Sequence, residues 1–237
     1  MTLRKMFLTF IILSIGNPSL LADTLTVACS PWKPYYYQEN KTIKGSSYEI
    51  ARAVFERADI KAKFVVHPWK RAYESGLNAP NYLVACLGKL PEREKLFHWI
   101  GPVAKTTFYN FYKKESSDIS LSSLEDIKNH SVGVLRGSLT EEFLKKSSHK
   151  HVHPIATAKQ LIMMLEAGRF DLILEAGNVI EHESTLAKIK PETFELALIG
   201  FGVSINMALS KQTPMETVQR LQEAYKGLDS EGKIVLP

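Results

Sequence analysis

The chain has 237 residues, 45% of them hydrophobic, and a formal net charge of +5. This length and apolar content predict one large or two small domains with a substantial core. Two of the basic residues, Arg4 and Lys5, lie in an N-terminal segment that we expect to be removed. The remaining charge of about +3 is small and scattered, which argues against nucleic acid as a partner.

The N-terminal segment has the pattern of a signal peptide. Arg4 and Lys5 precede the apolar run Met6 to Ile15, and the small residue Ala22 follows at a suitable distance. The run is shorter than the roughly 20 apolar residues of a membrane span. We therefore predict that residues 1–22 are a signal peptide and that the mature protein is exported to the periplasm.

Strand and helix patterns alternate along the first half. The alternation predicts an α/β fold with largely parallel sheets. The predicted elements are strands at 24–29, 63–66 and 82–87, a helix capped by Ser46 or Ser47, a helix from Pro68 and a short helix from Pro91.

The second half repeats the alternation. Capping boxes predict helix starts at Ser138 and Thr157, and Gly168 is typical of a helix end. We predict strands at 131–135 and 170–174, a helix at 158–167, a last helix from Thr213-Pro214 to Gly227, and extended runs at 107–112 and 203–210.

The chain has two cysteines, Cys29 and Cys86, both near the ends of predicted strands. In an exported protein such a pair is compatible with one disulfide. The alternative is two buried thiols that pack as small hydrophobic groups.

Arg93 lies in the first turn of the short helix that follows the strand at 82–87. A guanidinium near a strand end can bind a carboxylate with two parallel hydrogen bonds. It is therefore a candidate anion clamp, and the alternative is a surface arginine paired with Glu92 or Glu94.

Gly137 and Ser138 follow a strand and begin a helix. The free N–H groups of a helix N-terminus and a serine hydroxyl together suit a carboxylate, although simple capping explains Ser138 equally well.

An aromatic set suggests a stacking wall for a small ligand, or else a seal on the sheet edge. Its members are Trp32, Tyr35, Tyr36, Tyr37 and Trp69.

His149, His151 and His153 alternate and would share one face of a strand. The alternatives are a metal site and a solvated face. The sequence contains none of the recognised nucleophile, metalloprotease or phosphate-loop signatures. We therefore expect no catalytic residue, no metal and no cofactor.

The run Pro68-Trp69-Lys70-Arg71-Ala72 resembles a shorter subgroup of the bacterial periplasmic solute-binding proteins of family 3, the amino-acid type. Four motifs in order resemble the family as a whole. They are Pro-Trp-Lys-Pro-Tyr from 31, Leu-Pro-Glu-Arg-Glu from 90, Val-Gly-Val-Leu-Arg-Gly-Ser from 132 and Ala-Gly-Arg-Phe-Asp-Leu-Ile-Leu from 167.

The resemblance implies a type II periplasmic-binding-protein fold, with two α/β lobes joined by two hinge crossings. Lobe 1 would comprise residues 23–109 plus 205–237, and lobe 2 residues 110–204. The lobes would close on a small-molecule ligand, and the protein, which we expect to be a monomer, would deliver it to an inner-membrane ABC permease.

The resemblance also implies a ligand site. Arg93 and Ser138, with Gly137 beside it, would hold a ligand carboxylate, and Trp32 would stack on the ligand. Gly88 stands where many members carry a hydroxyl for the ligand's amino group. The family's ammonium-binding Asp corresponds to Ala176, with Glu175 one place earlier. These departures favour a small carboxylate-bearing or polar solute over a standard α-amino acid.

Two alternatives follow from the same resemblance. One is a sensory solute binder that docks on a membrane receptor instead of a permease. The other is a periplasmic enzyme such as a cyclohexadienyl dehydratase, for which Glu175 is the one nearby candidate acid or base. We expect a binding protein and not an enzyme.

Overall fold

The structure is a computed structural model that describes residues 24–237. Its strands are β1 (Leu25–Cys29), β2 (Tyr37–Glu39), β3 (Thr42–Lys44), β4 (Ala62–Val66), β5 (Tyr82–Gly88), β6 (Phe97–Lys114), β7 (Val132–Leu135), β8 (Val152–Ile155), β9 (Leu172–Ala176) and β10 (Phe194–Ser210). Its α-helices are α1 (Ser46–Arg57), α2 (Trp69–Asn78), α3 (Leu139–Lys146), α4 (Ala158–Glu166), α5 (Gly177–Ala187) and α6 (Met215–Ser230). Short 3₁₀ helices occupy Pro91–Leu96, Asp126–Asn129 and Pro191–Thr193.

Eight strands form one sheet in the order β4-β1-β5-β10-β6-β9-β7-β8, and β2 and β3 form a separate hairpin. The strands β4, β1 and β5 are parallel and form the first parallel group. The strands β9, β7 and β8 are also parallel and form the second parallel group. The predicted α/β architecture with largely parallel sheets is confirmed.

The two long strands β6 and β10 lie between the parallel groups and pair with each other in antiparallel orientation. β10 also pairs with β5, and β6 also pairs with β9. The predicted extended runs 107–112 and 203–210 lie within these strands, which are longer than the sequence indicated. The chain therefore crosses between the groups twice, and both crossings are strands of the same sheet.

Hydrophobic faces of the helices explain how they cover the sheet. In α1, Ile50, Val54 and Phe55 are buried in the core beside the first parallel group. In α6, Val218 and Leu221 are fully buried in the same core. This spacing at three and four residues is the core-facing stripe of an amphipathic helix. The helices thus hold the sheet in place and leave its strand ends free to carry a site.

The predicted cap of α1 is wrong. The N-cap is Gly45, with φ of 118°, and neither serine caps the helix. A Cβ at Gly45 would lie 2.2 Å from the carbonyl oxygen of Tyr35, so the position requires a residue without a side chain. Ser47 is instead buried, and its hydroxyl donates to the carbonyl oxygen of Val103 at 3.2 Å.

Three further boundaries differ from the sequence-based expectations. The strand predicted at 170–174 is β9, Leu172–Ala176, so Glu175 lies inside the strand. The last helix continues past Gly227 to Ser230, because Leu228 is buried and keeps the helix packed on the core. The helix α5 was not predicted, since it begins directly after β9 with no side-chain cap.

Cys29 and Cys86 form a disulfide with a Cα–Cα distance of 5.7 Å. The bond joins the carboxyl-terminal parts of β1 and β5, which are neighbours in the sheet. Of the two possibilities that the sequence left open, the structure has the bridge.

The predicted signal peptide lies outside the described residues. Within 24–237, no helix combines the length and hydropathy of a membrane span.

Of the three alternating histidines only His153 lies in β8. The His149 ring is buried and donates through Nε2 to the carbonyl oxygen of His130 at 2.9 Å. The three side chains therefore do not share one strand face, and residues 24–237 contain no cluster of three potential metal ligands.

Candidate functional site

A cavity of about 80 Å³ lies where the carboxyl ends of the two parallel groups meet. This is the usual place for a ligand in open α/β sheets, because loops and helix N-termini converge there. Residues of the first half contribute Trp32, Trp69, Gly88 and Tyr109, and residues of the second half contribute Ser138 and Glu175. The cavity brings together four of the six predicted site residues; Arg93 and Gly137 lie outside its lining.

Trp32 is positioned by the loop that follows β1. Its backbone forms an isolated bridge with Tyr36, and its ring lies 4.1 Å from the ring of Tyr35. Tyr36 itself is fully buried, and its hydroxyl donates to the carbonyl oxygens of Val27 and Val65 at 3.1 Å. The predicted aromatic set therefore divides: Trp32 faces the cavity, whereas Tyr36 belongs to the core.

Trp69, the first residue of α2, connects the two sides of the cavity. Its indole Nε1–H donates to the carbonyl oxygen of Gly137 at 2.8 Å, while its ring lines the cavity. Gly137 has φ of 72° and leads the chain from β7 into α3. The side chain amide of Asn178 makes a second link of this kind, donating to the carbonyl oxygen of Lys33 at 3.2 Å.

Ser138 caps α3, as the capping box predicts. Its hydroxyl accepts from the backbone N–H of Glu141 at 3.3 Å and lies 2.7 Å from the hydroxyl of Thr140. The Glu141 carboxylate accepts from the backbone N–H of Gly137 at 2.5 Å. The N–H groups at the start of α3 are thus partly used by a carboxylate of the same helix.

Arg93 lies beside the cavity with its side chain only 1% exposed. Its Nη2 donates to the Glu142 carboxylate at 2.9 Å, and its guanidinium packs on the Tyr73 ring at 4.8 Å from the centroid. Its Nε and Nη1 atoms are buried with no hydrogen-bond partner among residues 24–237. Sequence reasoning identified Arg93 as a carboxylate-binding group, and in the structure the carboxylate is that of Glu142.

A second ion pair joins the same two elements. Lys146, near the end of α3, pairs with Glu92, the neighbour of Arg93 in the short helix. Both members of this pair are more exposed than Arg93, so its contribution to stability is small. Together the pairs tie the segment after β5 to α3.

Gly88, the last residue of β5, lies close to the side chain of Leu139, which would have to shift to admit a larger residue. A Cβ there would lie 2.9 Å from Cδ2 of Leu139, the first residue of α3. The cavity wall at this point is therefore the apolar side chain of Leu139, which sequence reasoning did not identify.

Glu175 is the one charged residue in the lining of the cavity. It is 6% exposed, and its Oε1 accepts from the backbone N–H of Ala176 at 2.8 Å. Among residues 24–237 no basic side chain forms an ion pair with it. Burial raises the pKa of Glu175 to about 7, and the hydrogen bond from Ala176 opposes this only in part.

Tyr109 in β6 pairs with Ala176, the neighbour of Glu175 in β9, and it lines the cavity. It was not predicted as a site residue. Burial raises the pKa of Tyr109 well above its usual range, and the negative charge of Glu175 raises it further. The nearby Arg93 acts in the opposite direction. The phenol is therefore a neutral hydrogen-bonding group throughout the physiological pH range.

Glu142 was the most important omission of the sequence reasoning. In the sequence, Glu141 and Glu142 follow the capping residue Ser138 closely, and their place beside a helix cap explains them without a ligand site. The sequence did contain a signal for this role. Two adjacent acidic residues lie at the start of a helix beside a predicted anion site, and such residues compete with a ligand anion for the same hydrogen-bond donors.

Comparisons with known proteins agree with this architecture. The profile of the bacterial extracellular solute-binding proteins, family 3, matches residues 25–233. The amino-acid-binding protein AabA of Dichelobacter nodosus is 25% identical over 136 residues, which are 56% of this chain and 52% of AabA. The match thus spans about half the length of that relative.

Solved structures show the same fold. A histidine kinase sensor domain with similarity to periplasmic binding proteins has a TM-score of 0.79 at 16% identity, over 90% of this chain and 92% of that one. An ancestral arginine-binding protein bound to arginine has a TM-score of 0.74 at 21% identity, over 89% and 94%. The predicted two-lobe fold with two crossings is confirmed. Because the family profile covers nearly all of the described chain, the protein belongs to the bacterial extracellular solute-binding proteins, family 3.

Proposed function

We propose that the protein binds a small organic solute in the cavity between two lobes in the periplasm and delivers it to an inner-membrane ABC permease. One observation carries this proposal: strand ends from both parallel groups contribute lining residues to a single cavity. A ligand there contacts both groups at once, so its binding favours the closed arrangement.

For the lobes we propose the boundaries that the family resemblance implies. We assign residues 23–109 plus 205–237 to lobe 1 and residues 110–204 to lobe 2. The bonds Trp69–Gly137 and Asn178–Lys33 then cross the cleft and belong to the closed form. Trp32, Gly88, Ser138 and Glu175 are proposed as ligand contacts, and Arg93 and Gly137 are proposed as site residues outside the cavity lining.

Closure is tested by small-angle X-ray scattering of the exported protein with and without its solute. We expect the radius of gyration to fall when the solute binds. Trp69→Phe keeps an aromatic ring, although a smaller one, and removes the N–H that reaches Gly137, so it should weaken closure. Trp99→Phe, which lies away from the cleft, is the control. A radius of gyration unaffected by a bound solute contradicts closure.

Delivery is tested by solute uptake in cells. Deletion of the gene should abolish high-affinity uptake of the bound solute, and the wild-type gene should restore it. The alternative is a sensory role, which gains support from the fold likeness to a histidine kinase sensor domain. In that case deletion leaves uptake unchanged and abolishes the transcriptional response to the solute. A neighbouring permease gene favours transport, and a neighbouring receptor gene favours sensing.

A further inference from the structure

The two groups best suited to grip a ligand carboxylate each already donate one hydrogen bond to a carboxylate of the protein. The Arg93 guanidinium donates to Glu142 at 2.9 Å. The backbone N–H of Gly137 donates to Glu141 at 2.5 Å. A ligand carboxylate would therefore have to displace a side chain that α3 holds in place. The exchange would replace one carboxylate by another, so it would neutralise no additional charge.

Arg93 is not among the residues that line the cavity, and its side chain is 1% exposed. Its Nε and Nη1 atoms are buried without a hydrogen-bond partner among residues 24–237. In the structure the positive charge of Arg93 thus pairs with Glu142 and joins the segment after β5 to α3.

The cavity itself has the opposite character. Its lining contains one carboxylate, that of Glu175, and no Lys, Arg or His. A buried carboxylate with no cationic partner is unfavourable, and a bound cation removes that cost. The lining also includes the aromatic rings of Trp32, Trp69 and Tyr109. Aromatic faces attract ammonium groups, most strongly where water is excluded.

From these observations we propose that the solute is a small organic cation without a carboxylate group, a primary or quaternary amine, with Glu175 as its counter-charge. The inference rests on the proposed function and names the ligand class of the same site. Glu141 and Glu142 then set specificity, because they occupy the groups that would bind the carboxylate of an amino acid. The apolar wall of Leu139 and Val179 suits the alkyl part of such a cation.

The test uses matched pairs of compounds with and without a carboxylate: cadaverine with lysine, agmatine with arginine, and choline, whose hydroxymethyl group replaces the carboxylate, with glycine betaine. Isothermal titration calorimetry of the exported protein should give at least tenfold tighter binding for an amine than for its carboxylated partner. Equal or tighter binding of the carboxylated compound, or of succinate, overturns the inference and leaves the proposed function standing.

A second measurement covers amines outside this panel. Native mass spectrometry of the protein isolated from the periplasm identifies any small molecule that stays bound. A cation without a carboxyl group supports the inference, and a carboxylate overturns it. If neither experiment finds a bound solute, the inference and the proposed function are both overturned.

Two variants test the roles of the acidic residues. Glu175→Gln should weaken binding of the amine at least a hundredfold, whereas the exposed Glu181→Gln on α5 leaves it unchanged. Glu142→Gln should free Arg93 and raise the affinity for the carboxylated compounds at least fivefold relative to Glu92→Gln, whose carboxylate pairs with Lys146. A folded Glu142→Gln protein without that gain contradicts the role given to Glu142. If the variant does not fold, the compound pairs on the wild-type protein decide.

Discussion

Arg93, in the short helix after β5, and Glu142, in α3, form an ion pair at 2.9 Å although they are 49 residues apart in the chain. The arginine is almost completely buried, while the Glu142 side chain is 32% exposed. Because the two partners differ in burial, the loss of one is not equivalent to the loss of the other. The two single variants should therefore differ in stability, and measuring that difference tests the pair without a ligand.

Glu142→Gln should destabilise the protein more than Arg93→Met. The first variant leaves a buried guanidinium without its counter-charge, a loss that we expect to cost about 2–4 kcal/mol. The second removes the buried charge and leaves Glu142 in contact with water, at a cost of about 1 kcal/mol. Urea unfolding of both single variants and the double variant gives the coupling energy. The reverse order of stability, or a coupling energy near zero, contradicts this account.

Glu175 should make stability depend on pH. Its pKa is raised from 4.5 to about 7 in the folded state, so the folded protein binds more protons than the unfolded chain between these values. The free energy of unfolding should therefore fall as pH rises from about 4.5 to about 7, by up to about 3 kcal/mol. Glu175→Gln lacks this term, and its stability relative to wild type should increase over that window. Glu181→Gln should show no such trend; a flat difference for Glu175→Gln contradicts the prediction.

The disulfide should contribute strongly to stability. Cys29 and Cys86 are separated by 57 residues, and closing a loop of this length stabilises the folded state by about 4 kcal/mol in the chain-entropy description. Chemical unfolding with and without reductant measures the effect. The double variant Cys29→Ala, Cys86→Ala should match the reduced protein and be insensitive to reductant. Titration of two free thiols in unfolded, unreduced protein rules the bridge out.

Gly45 and Gly168 should respond differently to the same substitution. Both have positive φ, but a Cβ at Gly45 meets the Tyr35 carbonyl at 2.2 Å, whereas nothing lies within 4 Å of one at Gly168. Gly168→Ala should cost about 1 kcal/mol from backbone conformation alone. Gly45→Ala should cost clearly more, since the loop that carries Trp32 has to move. Thermal unfolding compares the two, and equal losses contradict the steric account.

The sequence predicted the elements whose signals are local. β1, β4 and β5 are apolar runs with clear ends, and the N-caps Ser138 and Thr157 form as expected. The failures have tertiary causes. Gly45 caps α1 because the Tyr35 carbonyl occupies the space of a side chain, and this contact cannot be seen in the sequence.

The sequence predicted which residues form the site better than it predicted which groups those residues contact. Trp32, Gly88, Ser138 and Glu175 do meet at one cavity, because each lies at or just after the carboxyl end of a strand. The partner of Arg93 depends on how α3 is placed against the segment after β5. No spacing rule connects residues that far apart, so the occupation of the guanidinium by Glu142 required the structure.

The position of β10 between β5 and β6 has a consequence for the order in which the chain acquires its structure. β5 is buried along its whole length, yet the partner on one of its edges begins more than a hundred residues later, at Phe194. During synthesis this apolar strand stays an open edge until nearly the entire chain has emerged, whereas the strands β7, β8 and β9 come from one continuous segment. The first parallel group therefore completes its sheet last, and the intermediate that exposes β5 is the form of this protein most prone to aggregate.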